Sequence, residues 1–491
     1  ILAGQAMKAA DLERVGLGGL KDLTLDTLLP VPVSERFPTG WARNDELAEG
    51  DLLYAVDGTT TEIVKFSDVI DNERIFEVLF DDGHTIKAGA GHLWLASSAA
   101  TRKREWTKDP GHEAHSARMR ELAARTAPGT LMSIPMLARA IGKTPERVYQ
   151  LVERYGLERA TVAADGTARW LGRGQKAYRM HVDAAEFFSR YAEMHTRDAV
   201  DTVVTTEEMF RTQTTERGNP NWNVRVAAPI QGADADLPVD PYVLGAWLGD
   251  GTTSMGAISA GRSEACTDSA GVTDHEHMLR ELTAAGYQAA TRPSHDILIG
   301  VRGLMGQLRA TGVLNNKHIP AVYKRASFAQ RLALLQGLMD SDGWILPDGT
   351  AGFAQLDGAL ARDFAELAES LGIKVMVHYK TTPQGKPVAS MDFYSDLPIC
   401  RLPRKLGRIA KYTSRRALRR RRKIVAIREI AGEQTRCIAV AHQEKLFLVE
   451  GFIPTHNTNF SRIALGKLSY GDMASAFKDP ATLPKLGETV P

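Results

Sequence analysis

The sequence predicts a multidomain chain, in which one all-β domain is split by a long insertion holding an α/β domain and a small helical unit. Three observations lead there. Residues 22–98 carry short apolar runs at roughly ten-residue spacing, separated by turn signals such as the Asp-Asp-Gly of 81–83. The tail CIAVAHQEKLFLVEGFIPTHN, residues 437–457, has the same texture, so start and finish read as two parts of one β domain. Between them, VLGAWLGDG (243–251) and LQGLMDSDG (335–343) are rhyming apolar helical runs that end in Asp-Gly. Asp250 and Asp342 are 92 residues apart, which suggests two copies of one half-domain.

Bulk properties narrow the choice. A chain of 491 residues has room for two or three domains with real cores. No apolar run is long enough to span a membrane, and the first residues do not read as a signal peptide. The net charge of +2 excludes polyanion binding by bulk charge alone, yet residues 401–423 hold twelve Lys and Arg and no acid. Cys266, Cys400 and Cys437 are too few and too scattered for a disulfide framework or a zinc site. They point to a reducing, cytoplasmic setting in which a thiol stays available; a monomer is expected.

In chain order, residues 1–21 read as a short helix ending in glycines, and 22–98 as the first part of the β domain. Residues 99–200 form the helical insertion. Within it, LMSIPMLARAIGKTPERVYQLVERYGL (131–157) has a helix broken at Gly142 and a second helix opened by Thr144 and Pro145. This resembles a helix-turn-helix, whose second helix would enter a DNA groove. A plain helical hairpin packed on the core fits the same pattern, and both readings stand. Residues 201–240 are polar and weakly patterned, as in a linker. Helices alternate with strands through 241–425, 426–457 return to the β domain, and 458–491 lie beyond it.

The chemistry concentrates near the far end, in LFLVEGFIPTHNT (446–458). The Asn457 side-chain amide can attack its own carbonyl, closing a succinimide and releasing the chain from Thr458 onward. The Thr458 hydroxyl can hold an acyl group as an ester and pass it to its own freed amine. Cys437 is the strongest ordinary nucleophile available to generate that acyl group. The candidate partners are His92 as an acid for an upstream bond, Trp94 to dry the pocket around the sulfur, and His456 as proton donor to the leaving amine with His442 as relay, roles that the family resemblance below implies. Taken singly, a core histidine or a core tryptophan explains His92 or Trp94 equally well.

The segments DLTLDTLLPVP, GHTIKAGAGHLWL and RCIAVAHQEKLFLVEGFIPTHNT together resemble an intein. The resemblance implies a Hint-type, horseshoe-like β domain running from Asp22 to Asn457, with residues 1–21 and 458–491 as flanking host sequence, the exteins. Asp22 stands where most inteins have Cys or Ser, and Gly89 where Thr is usual. Trp94, Cys437 and Thr455 together are similar to the class 3 inteins, frequent in phage genes and bacterial helicases. That likeness implies Cys437 attack on the Lys21 carbonyl, transfer to Thr458, Asn457 cyclisation and a Lys21–Thr458 peptide bond, with no cofactor.

The two Asp-Gly helices, with the NKHIP segment (316–320) between them, resemble a LAGLIDADG homing endonuclease. Small residues (Gly245, Ala246, Gly249, Gly337, Ser341) would let the helices approach closely, bringing Asp250 and Asp342 together. Two carboxylates at the negative ends of helix dipoles repel unless a divalent cation lies between them. Mg²⁺ there would activate water and stabilise a phosphodiester transition state, with Lys317 supporting the developing charge. The implied partner is double-stranded DNA resembling the uninterrupted gene. Phosphate contacts are expected from Arg401, Arg404, Lys405, Arg415, Arg416, Arg419 and Arg420, unless that run is simply a solvated helix face. Two alternatives stay open: a splicing element with a decayed nuclease, and a DNA-binding regulator on an inert β scaffold.

Overall fold

The computed structural model describes residues 22–102, 118–119, 121–155, 157–162, 168–171, 180–196, 201–293, 295–409 and 421–456. Lys21, Asn457, Thr458, Arg415, Arg416, Arg419 and Arg420 therefore lie outside the described residues. The chain divides into two compact units, one of residues 97–201 and one of the remainder.

The larger unit contains the split β domain. Its eleven-stranded sheet runs, strand by strand, Asp22–Thr24, Thr85–Gly89, Ile70–Phe80, Arg421–Val440, Trp222–Arg225, Leu93–Ser98, Ile453–His456 and Leu446–Val449, with three further strands paired off that path. One long strand, Arg421–Val440, organises it. This strand pairs antiparallel with Asp22–Thr24, Ile70–Phe80, Thr60–Phe66 and Trp222–Arg225. Ile424, Ile427 and Ile430 fall three apart instead of two, in step with the register shifts in its pairing with Ile70–Phe80. Leu23, Phe76, Val78, Trp94, Ile427, Ile438 and Ile453 form part of the core beneath the sheet.

Two boundaries move. Residues 201–240 are not a linker, because Thr202–Thr205 pairs with Leu93–Ser98 and Trp222–Arg225 pairs with the long strand. Four-residue strands between polar stretches leave too short a period to read. The end of the basic run likewise belongs to the sheet: Arg422 is fully buried, ion-paired with Asp82 and 3.4 Å from Glu369. Glu369 also accepts from His84 at 2.6 Å, while Lys374 reaches Asp81 at 2.7 Å.

The α/β domain has its own core and two half-repeats. The first holds helix Pro241–Asp250 and a three-stranded sheet, the second helix Phe328–Ser341 and a four-stranded sheet. The two helices lie against each other at small residues. A Cβ on Gly245 would come within 2.1 Å of the Leu334 carbonyl, and one on Gly337 within 2.1 Å of the Tyr242 carbonyl.

The smaller unit is not purely helical. Helices Ile134–Ile141, Pro145–Tyr155 and Ala184–Thr196 accompany an antiparallel sheet ordered Ala168–Leu171, Arg159–Val162, Met180–Asp183, Leu131–Ser133. Gly142 takes the left-handed conformation that ends the first of those helices (φ 65°).

The glycine contacts give a stability test. Gly337→Ala should destabilise the α/β domain by roughly 1–3 kcal/mol, since backbone faces the new methyl and cannot move aside. Gly306→Ala, with open space at its Cβ, should be neutral or stabilising in the same urea titration.

Candidate active sites

The register of the first strand places the β-domain site. Asp22 pairs directly with Cys437, Leu23 with Arg436 and Thr24 with Thr435. Residues directly opposite in an antiparallel pair share a face with Cβ atoms about 4.5–5.5 Å apart, so the buried thiol sits beside the residue that opens the β domain. The Cys437 backbone N–H donates to Ser67 Oγ at 2.9 Å, and the Ser67 N–H returns a bond to the Cys437 carbonyl at 3.2 Å. No disulfide is formed by Cys266, Cys400 or Cys437.

Asp22 is fully buried, and its carboxyl accepts from the Thr435 hydroxyl through Oδ2. Its Oδ1 is buried without a hydrogen-bond partner among the described residues. Burial pushes the acid up to about 6, against the lowering effect of Thr435. The carboxyl occupies the space over Gly89, where a Cβ would lie 2.1 Å from Oδ1. Glycine at 89 and aspartate at 22 therefore fit each other sterically.

Three residues on, the His92 N–H donates to the Gly89 carbonyl at 3.1 Å. His92 is fully buried, and its Nε2 is hydrogen-bonded to Thr455 Oγ1. The ring stands edge-on to Trp94, centroids 5.3 Å apart. His456 pairs with Leu93 across the next strand. The structure thus gathers His92, Trp94 and Thr455 in one group, linked through Gly89 to the Asp22–Cys437 pair, with His456 next to Thr455 in the chain. His442 has partners of its own, with its Nε2 3.2 Å from the Asp57 carboxylate and its N–H on Thr61 Oγ1 at 3.0 Å.

Thr206 is the residue that sequence reasoning missed. It is fully buried and accepts from Trp94 Nε1 at 3.0 Å, while its hydroxyl and N–H both donate to the His92 carbonyl at 3.3 and 2.9 Å. Nothing in its polar surroundings distinguishes it; only the pairing of Thr202–Thr205 with the Trp94 strand brings it here.

In the α/β domain the two acidic helix ends meet. A Cβ on Gly249 would lie 2.0 Å from Ser341 Oγ and 3.2 Å from the Asp342 Cβ. Burial and then repulsion from Asp250 push Asp342 up to about 6. Asp250 is raised by burial, partly offset by Lys317 and Lys405. Lys317 donates to the Leu248 and Gly249 carbonyls at 2.9 and 3.2 Å, capping the first helix. Lys405 caps the second, donating to Met339, Asp340 and Gly343 carbonyls at 2.7–2.8 Å. Burial lowers both lysines, against the pull of nearby carboxylates.

Residues 329–425 match the LAGLIDADG-like domain. Over 451 residues the chain is 28% identical to a replicative DNA helicase DnaB of Mycobacterium intracellulare, covering 91% of this chain and 59% of that protein. A DnaB of Mycobacterium leprae is 40% identical over 84 residues, 17% of this chain and 13% of that one. The chain thus spans less than two thirds of the curated relatives it matches. A crystal structure of the MchDnaB-1 intein is 40% identical over 15% of this chain and 53% of that chain, with a TM-score of 0.14. The structure of I-DmoI in complex with DNA and Mn is 11% identical over 36% of this chain and 98% of that chain, with a TM-score of 0.24.

Within and just before the LAGLIDADG-like domain, the two capping lysines come after their aspartates at similar offsets, Lys317 after 67 residues and Lys405 after 63. That repeat was a readable signal. It corrects the expected phosphate contact at Lys405, which is buried under its helix end. Arg401 and Arg404 are also engaged internally. Arg401 bonds Glu281 at 2.7 Å and stacks over Tyr242, and Arg404 grips Asp274. The buried Asp340 accepts the N–H groups of Arg401 and Leu402, which holds this segment inward.

The two sites can each be probed by substitution. Gly89→Thr should destabilise the β domain by roughly 1–3 kcal/mol through the clash with Asp22, and Asp22→Ala should relieve it. A double-mutant cycle showing additive effects would contradict that packing. Second, Asp22 and Asp342 are raised in the folded state, so their contribution to stability is full below the unfolded value of about 3.9 and is lost as pH rises through about 6. In metal-free buffer the urea midpoint should fall over that window, and Asp342→Asn should flatten part of the fall.

Proposed function

We propose that the chain is an intein that splices itself out of a DnaB-type helicase and carries a LAGLIDADG homing endonuclease. The observation that carries the reading is the pairing of Asp22 with Cys437, which sets a thiol beside the first residue of the β domain. Similarity to DnaB proteins, at 28% identity over 451 residues and 40% over 84, supports the choice of host.

The Cys437 sulfur attacks the Lys21 carbonyl carbon, and the bond to the Asp22 nitrogen breaks. That nitrogen leaves with a proton, for which His92 is the source; Thr455, bonded to its Nε2, fixes the ring. Trp94, buried and tied to Thr206, excludes water from the group. The acyl group then passes from Cys437 to the Thr458 oxygen. The Asn457 amide nitrogen attacks its own carbonyl, closing a succinimide and freeing the Thr458 amine, which takes the acyl group to give the Lys21–Thr458 bond. Asp22 cannot serve as a stable acyl acceptor, which is why the attack falls to a residue across the sheet.

For DNA cleavage, Asp250 and Asp342 would hold a divalent cation. Burial raises both carboxyls and their repulsion raises Asp342 further, a cost that a cation between them would relieve. Bound Mg²⁺ supplies an activated water and charge neutralisation at the phosphodiester. Lys317, anchored at the first helix end, supports the developing charge.

Mass analysis of the chain expressed in a reducing cytosol tests the splicing reading. Wild type should yield an excised product and ligated flanks, Asn457→Ala a branched species, and Cys437→Ala unreacted precursor. Normal ligation by Cys437→Ala would overturn the order of steps. Magnesium-dependent cutting of a duplex encoding the joined flanks, lost in Asp250→Asn, tests the nuclease.

A further inference from the structure

The proposed splicing and cleavage residues all lie outside the compact unit of residues 97–201. Its core is separate: Leu137, Ile141, Val148, Leu151, Val182 and Phe187 pack among themselves and their neighbours. Its charge is also distinctive. From residue 97 to 201 there are eighteen Lys and Arg against thirteen Asp and Glu, a net +5 where the whole chain carries +2.

Its architecture has the form of two helices joined by a tight turn and backed by a sheet. Helix Ile134–Ile141 ends at left-handed Gly142, and the Lys143 N–H closes back on the Ala138 carbonyl at 3.0 Å. Helix Pro145–Tyr155 opens at once, with Thr144 Oγ1 accepting from the Arg147 N–H at 3.3 Å. The tight turn fixes the second helix against the first, and an antiparallel sheet completes the unit. On the second helix the apolar side chains of Val148, Leu151 and Val152 are all buried. Its outward residues are Glu146, Arg147, Gln150 and Glu153, with Lys143 and Thr144 at its start also exposed. Arg147 Nη1 donates to Gln150 Oε1 at 3.0 Å, so these two side chains stand together on the outward face. Arg, Gln and Glu are the side chains that match the edges of guanine, adenine and cytosine in the major groove, and a lysine at the helix start suits a phosphate.

We propose that this unit is a second double-stranded DNA-reading module, which presents helix Pro145–Tyr155 to the major groove and reads bases through Arg147 and Gln150. Being linked to the LAGLIDADG-like domain, it would raise affinity and lengthen the recognised site through effective concentration. The proposal does not rest on an active nuclease.

The test selects from a pool of random-sequence duplexes with the full chain, in EDTA so that no strand is cut. Wild type should enrich a motif containing a block of about 3–5 base pairs that disappears with Arg147→Ala/Gln150→Ala and persists with Asp250→Asn/Asp342→Asn. Affinity for the enriched duplex should fall at least tenfold in the first pair of substitutions with the melting temperature unchanged. Arg147→Lys should keep binding to unselected DNA and lose the base preference. Lys143→Gln should reduce the salt slope of binding by about one. An identical motif and affinity from Arg147→Ala/Gln150→Ala, or no enrichment beyond what the LAGLIDADG-like domain alone explains, would overturn the assignment.

Discussion

Everything at the β-domain site depends on the register between Asp22–Thr24 and the long strand Arg421–Val440. A slip of one residue would turn Cys437 to the opposite face of the sheet and remove it from the junction. Side chains pin that register on both sides. Buried Asn44 donates to the Leu23 and Thr24 carbonyls at 3.3 and 3.2 Å, and Arg436 donates back to Asn44 at 3.0 Å while stacking over Phe66. Thr435 holds Asp22, and Ser67 bonds both the N–H and the carbonyl of Cys437. Two segments more than 400 residues apart are thereby locked side by side without a covalent link.

The α/β domain solves a related problem differently. There the constraint is contact between two helices at glycines, which brings their carboxyl-terminal ends together. Two carboxylates at such ends are unfavourable on their own, and the fold answers with a lysine bonded to each end. The same two lysines lower the cost of burying Asp250 and Asp342 in charged form. Between the two domains, Arg422 and His84 meet Glu369 in a buried ionic cluster, so part of the basic run is structural.

The paired aspartate helices were legible in the sequence because glycine and alanine at helical spacing, ended by Asp-Gly, leave few packing options. The β texture of both parts of the split domain was legible from short apolar runs separated by turn signals. Thr206 was not, since a threonine in a polar stretch acquires meaning only when Thr202–Thr205 joins the Trp94 strand. The start of the basic run, Arg401 to Lys405, misled for a physical reason: composition reports charge but not whether a guanidinium meets Asp274 or water. Gly89 read as a departure from pattern, and its sense lay in the carboxyl of Asp22, a partner distant in sequence.

The central claim is that Cys437 carries the first acyl group. Asn457→Ala protein, digested under acidic conditions that preserve thioesters, can be mapped by tandem mass spectrometry for the site bonded to the Lys21 carbonyl. The predicted result is a branch at Cys437 that hydroxylamine releases as the Lys21 hydroxamate. Lys21 found attached to any other side chain first, or a branch that persists in Cys437→Ser at the same rate, would contradict it.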